Sequence, residues 1–144
     1  MSGPTFSVGR VFHPWGILRK LAHIRLSWVV MPDLVPGRTN GVDIIWMDKR
    51  LDQVERRCTL THELIHIERK HIGCQLPSVE LEVCLETARR LIPIEGLAAA
   101  LRWSNCPAEL AEELWVTPDV LYDRVRVLTP DELALLVATE AQCH

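Results

Sequence analysis

The residues His62-Glu63-Leu64-Ile65-His66 set two imidazoles and a carboxylate in the order H-E-x-x-H, inside a stretch that reads as helix. Histidines at i and i+4 lie one above the other on a single helix face, so both can bind one zinc ion. The glutamate between them points near the same ion, where it can take a proton from a water activated there. Five residues thus suggest two metal ligands, His62 and His66, and a general base, Glu63.

A catalytic zinc needs a third protein ligand and one open position. Downstream the chain offers His71, Cys74, Glu80, Glu82, Cys84 and Glu86. The extended metzincin spacing would put glycine at 69 and a third histidine at 72. Arg69 and Ile72 stand there, and His71 is one residue off. A glutamate from the following helix fits better. If two helices form an antiparallel hairpin about Gly73, the mirror of position 64, midway between the histidines, is Glu82. A turn centred at Cys74 or Gln75 moves the mirror to 84 or 86. Glu82 and Glu86 are i, i+4 on one face, which suggests one ligand and one carboxylate that orients a ligand histidine. Glu82 is the expected ligand, with Glu80 and Glu86 as alternatives.

The elements that must position these residues are legible from pattern. Residues 14–22 carry apolar side chains at helical spacing (Trp15, Leu18, Leu21, Ala22). A short strand at 27–31 ends at Pro32. Asn40-Gly41 is a hairpin-turn pair ahead of a strand at 42–47, with 35–39 as its partner. Asp48 is expected to cap the motif helix, residues 50–70, and Gly73 to stop it. Ser78 should cap a helix over 79–92, whose early acids and late Arg89-Arg90 suit the helix dipole. Helices at 94–103 and 107–115 follow. Thr117-Pro118-Asp119 and Thr129-Pro130-Asp131-Glu132 begin two more. Residues 1–9 read as a loose arm. The fold class is α+β, mainly helical, with a small antiparallel sheet packed on the H-E-x-x-H helix and helix-turn-helix-like carboxy-terminal helices. Residues 1–93 form the expected core, and 94–144 a helical part packed on the same domain.

Composition narrows the function classes. Of 144 residues, 48% are apolar and 24% charged, enough for one globular core. A net charge of −3 gives no basic field to hold nucleic acid. The apolar stretch at 27–36 is too short and interrupted to span a bilayer, and the first residues lack an apolar signal segment. A soluble cytoplasmic protein is expected. The five cysteines (Cys58, Cys74, Cys84, Cys106, Cys143) are odd in number with no C-x-x-C pair, so they suggest neither a disulfide framework nor a thiolate zinc site. The five tryptophans read as core or rim packing. Residues 111–128 have helix-turn-helix spacing, with Asp119, Tyr122, Asp123, Arg124 and Arg126 expected to be exposed. With Glu109, Glu112 and Glu113 nearby, this charge mix argues for packing or partner docking over DNA reading through 109–128.

Taken in order, these parts are a first helix, a small sheet ending in an apolar strand, the run Arg56-Arg57-Cys58-Thr59-Leu60-Thr61-His62-Glu63-Leu64-Ile65-His66, and a glutamate-bearing helix ending at Pro93. Across roughly positions 12 to 128 the chain resembles the ImmA/IrrE family of zinc metallopeptidases. Counted back from Pro93, Glu82 falls where that family's ligand glutamate is expected. The resemblance implies a thermolysin-like hydrolysis of a peptide bond, with zinc as cofactor and Glu63 as proton carrier. It implies as substrate a regulatory protein, a repressor of a phage, a mobile element or a stress response. Ile65 stands where the family usually has glycine, and Val83, Cys84 and Glu86 replace its alanine, asparagine and phenylalanine. These departures motivate an alternative, a non-catalytic anti-repressor or adaptor that binds a partner protein through the helical tail. His71 and Tyr122 are candidates for stabilising an oxyanion.

Overall fold

The computed structural model describes residues 12–143, with side chains through residue 141. The expected arm at residues 1–9 lies outside them. The chain divides into two compact units, residues 13–87 and residues 88 onward together with residue 12.

In the first unit, helix α1 (Pro14–Lys20) leads into strand β1 (Arg25–Val29). A tight turn at Pro32–Leu34 connects β1 to β2 (Gly37–Thr39), which is followed by β3 (Ile44–Asp48). The sheet order is β1-β3-β2. Strands β2 and β3 form the expected antiparallel hairpin, with Arg38 opposite Trp46. Strand β1 pairs with β3 in parallel, Ser27 opposite Trp46. The sheet is therefore mixed, not antiparallel as the sequence suggested. The end of β3 shows how the chain crosses over. Lys49 N–H donates to Val29 on one side, Asp48 N–H donates to Pro36 on the other, and the Asp48 carboxylate accepts from Met31 N–H at 3.2 Å. The crossover thus runs past the end of β3, leaving β3 in the centre. Its residues Ile45 and Met47 are fully buried.

Asp48 does not cap a helix. Its carboxylate is occupied by Met31 and by the Arg50 guanidinium. Asp52 instead caps α2 (Gln53–Glu68) through a reciprocal box, Glu55 N–H to Asp52 at 2.8 Å and Asp52 N–H to Glu55 at 2.9 Å. Helix α2 packs on α1, β2 and β3, and residues 58–61 and 63–66 are all buried. Leu60 and Leu64 join Ile45 and Met47 in a core flanked by Trp15, Leu18, Leu26 and Ile67. Each such aliphatic side chain contributes roughly 1.5–3 kcal/mol by burial. Trp15 stacks on Trp28, which the Arg56 guanidinium covers at 4.5 Å. Helix α3 (Pro77–Leu91) follows an eight-residue loop, and the unit boundary falls within it.

The second unit holds α4 (Ile94–Leu101), α5 (Pro107–Leu114), α6 (Pro118–Arg126) and α7 (Pro130–Cys143). Helix α4 packs on α5 and α7, and α5 on α6. Both threonine starts form as expected. Thr117 accepts from Val120 N–H, and Thr129 and Glu132 bond reciprocally at 3.1 Å. Arg124, expected to be exposed on a reading helix, is instead 3% exposed. Its Nε donates to the Ile92 carbonyl and its two terminal nitrogens fork onto Glu132. A guanidinium so engaged is withdrawn from phosphate. Trp103 and Trp115, expected as core or rim packing, are exposed. No disulfide joins the described cysteines, and no described helix is long and apolar enough to cross a membrane.

Candidate metal centre

Helix α2 presents His62 and His66 one turn apart, and α3 presents Glu80 against them. The Nε2 atoms of His62 and His66 each lie 3.0 Å from one Glu80 oxygen, and 3.2 Å from each other. Among the described residues these three form the group whose donor atoms converge closely enough to hold a metal ion. Two ligand atoms bound to one tetrahedral zinc at about 2.0–2.1 Å stand about 3.3 Å apart. The observed separations fall just inside that spacing, so the triad fits a zinc-sized cation. His66 is buried, His62 is half-buried, and the Glu80 side chain is 44% exposed, so the Glu80 edge opens to solvent. Burial opposes ionisation of Glu80. Hydrogen bonds and attraction from the two imidazoles outweigh it and hold the carboxyl below its ordinary value.

Glu82, the expected third ligand, is exposed and stands outside the group. The physical reason is helical phase. Glu80 shares the i, i+4 face with Cys84 and Ala88, and Val83, Thr87 and Ala88 are buried along α3. Glu82 lies about 200° around the helix from Glu80. Glu86, half-buried and i+4 from Glu82, is likewise not part of the triad. The run of small and apolar residues at 83, 84, 87 and 88 was the signal that selects Glu80.

Glu63 is 6% exposed on the same helix. Gly37 on β2 lets that strand approach closely. A Cβ there would stand 2.7 Å from Thr59 Cγ2, 3.0 Å from the Trp46 carbonyl oxygen and 3.8 Å from Glu63 Cγ. Burial pushes the Glu63 carboxyl up to about 8, the nearby Glu80 charge adds to this, and Arg38 on β2 opposes it. A cation held by the triad would act in the same sense as Arg38.

Both ligand-candidate histidines are contacted from behind. His71 Nδ1 is 3.0 Å from His66 Nδ1, and Cys84 Sγ is 3.9 Å from His62 Nδ1. His71 therefore stands at the far side of the His66 ring, not in front of the triad as an oxyanion donor would. The second such candidate, Tyr122, belongs to the other unit, on α6. No family model, no curated protein and no solved structure matches this chain.

Proposed function

We propose that the chain is a zinc-dependent endopeptidase of the ImmA/IrrE type, with His62, His66 and Glu80 as metal ligands and Glu63 as general base. The observation that carries this reading is the convergence of two imidazole nitrogens and a carboxylate oxygen within 3.2 Å of one another, next in sequence to a buried carboxyl. Two histidines and a carboxylate are the ligand set of catalytic zinc sites that keep one position open. A zinc ion there would polarise the scissile carbonyl and make water acidic enough to ionise near neutral pH.

The chain's own residues do the rest. Glu63 takes a proton from the attacking water and passes it to the departing amine nitrogen as the C–N bond breaks. Its buried setting suits a group that must hold a proton and release it near neutral pH. Burial of His66 fixes one ligand, while the exposed side of Glu80 leaves an approach for substrate. The substrate class, a regulatory protein such as a repressor, follows from the family resemblance.

The test is elemental mass spectrometry after zinc loading, paired with digestion of a degenerate peptide library. About one zinc per chain is expected. His62→Ala, His66→Ala and Glu80→Gln should lower it, and Glu82→Gln should not. Glu63→Gln should keep zinc and generate no new peptide termini. Cleavage by that variant would overturn the base assignment. A wild-type chain that takes up no zinc would overturn the metal centre and move the reading to a non-catalytic adaptor.

A further inference from the structure

Helix α2 ends in an unusual way for its sequence. Arg69 is the last, half-helical residue, and Lys70 follows in the left-handed region at φ 59°. Lys70 N–H donates to the Ile67 carbonyl at 3.0 Å, and His71 N–H donates back to the His66 carbonyl at 2.9 Å. These two bonds define the Schellman termination, in which the chain folds back over its last turn. That motif usually brings an apolar residue at its end onto the residue five positions earlier. Here the pair in those positions is His71 and His66. Their rings meet edge to face at 5.2 Å between centroids, with the two Nδ1 atoms 3.0 Å apart.

The loop carrying His71 is pinned from a second side. Gly41, at φ +80° in the β2–β3 turn, lies so close that a Cβ there would stand 2.0 Å from the His71 carbonyl oxygen. The Asn40 side chain holds that turn by accepting from Val42, Asp43 and Ile44 N–H. The hairpin thus sets the His71 backbone, and the helix end sets its ring.

We propose that His71 is a positioning residue for the metal centre. It accepts a hydrogen bond from His66 Nδ1–H, which fixes the His66 tautomer that presents the Nε2 lone pair to the metal. The inference rests on the metal-centre reading above and deepens it. A hydrogen bond to the outer nitrogen of a ligand histidine fixes ring orientation and raises ligand basicity, and losing such a partner costs 10–100-fold in metal affinity.

The experiment is competition titration of zinc against a fluorescent chelator, with the wild-type chain, His71→Phe and His71→Asn. Phenylalanine keeps the ring contact and removes the acceptor. Asparagine keeps an oxygen near the position of Nδ1. The expected result is zinc affinity about 10–100-fold weaker in His71→Phe, largely restored in His71→Asn, with metal-free thermal unfolding similar in all three. Equal affinity in the wild type and His71→Phe would overturn the inference and leave the metal centre standing. No zinc uptake by the wild type would overturn both. A readout on the wild-type chain needs no variant. In the zinc-loaded protein, 15N spectra of the ring should show His71 Nδ1 unprotonated and His66 Nδ1 protonated, and the opposite assignment for His71 refutes the hydrogen bond.

Discussion

Replacing Gly41 by alanine separates two costs that a glycine in a turn can carry. An L residue at φ +80° loses about 1–2 kcal/mol to backbone strain, offset by about 0.4–1 kcal/mol from the stiffer unfolded chain. The new methyl must also find room. It would lie 2.0 Å from the His71 oxygen and 2.8 Å from the His71 carbonyl carbon, both backbone atoms. Carbon–oxygen contacts settle at about 3.3 Å or beyond, so the loop must retreat by about 1 Å. Overpacking of that kind adds about 1–3 kcal/mol. The total is about 1–5 kcal/mol, centred near 3. Gly73→Ala is the internal control. Its φ is +75°, but no atom beyond its chain neighbours lies within 4 Å of the added carbon, so only about 1 kcal/mol should be lost. Urea denaturation of both metal-free variants at neutral pH measures the difference. Zinc affinity provides a second axis, since retreat of the His71 loop should weaken binding in Gly41→Ala and leave Gly73→Ala unchanged. Equal stability losses in the two variants would refute the close approach of the hairpin turn to His71.

Three further outcomes are expected. The Arg50 guanidinium holds the Asp48 carboxyl well below its ordinary value of 3.8, so its stabilisation is fully present above that pH and is lost as acid approaches the lower folded value; Asp48→Asn should lower stability at neutral pH and flatten the acid limb of a stability–pH curve. Glu132→Ala strands the buried Arg124 guanidinium and removes half of a capping box, and should cost about 3–5 kcal/mol in chemical denaturation. Lys70→Gly relieves a left-handed residue at the end of α2, where glycine is the usual occupant, and should raise the thermal midpoint by an amount corresponding to about 1 kcal/mol.

The parts of this molecule written in local chemistry were legible from sequence. The helix carrying His62 and His66 and the two Thr-Pro-Asp helix starts each depend on contacts within a few residues, and each formed. What failed depended on geometry between elements. A hairpin symmetric about Gly73 would set Glu82 opposite the histidines only if α3 were also rotated about its own axis to match, and spacing alone does not specify that rotation. Each residue turns a helix by about 100°, so the two-residue step from Glu80 to Glu82 places their carboxylates about 200° apart. The buried run at Val83, Thr87 and Ala88 held that phase, but only once α3 is known to pack through it. The parallel pairing of β1 with β3 was likewise invisible, because alternation within a strand carries no direction. Asp48 shows a third kind of miss. A carboxylate before a helix resembles a cap until a neighbouring guanidinium and a crossover amide claim it. Arg124 was misplaced for a related reason, since the fork onto Glu132 that permits its burial joins two helices.

The donor atoms of the triad come from a short stretch of chain. Eighteen residues separate His62 from Glu80, and fourteen separate His66 from it. Closing a loop that small costs about 1.5 kcal/mol less than joining segments a hundred residues apart. During vectorial synthesis α2 and α3 are both complete at Leu91, before any residue of α4 to α7 has been added. Should the triad hold a cation as proposed, every donor it needs would already be in the chain before α4 to α7 are translated.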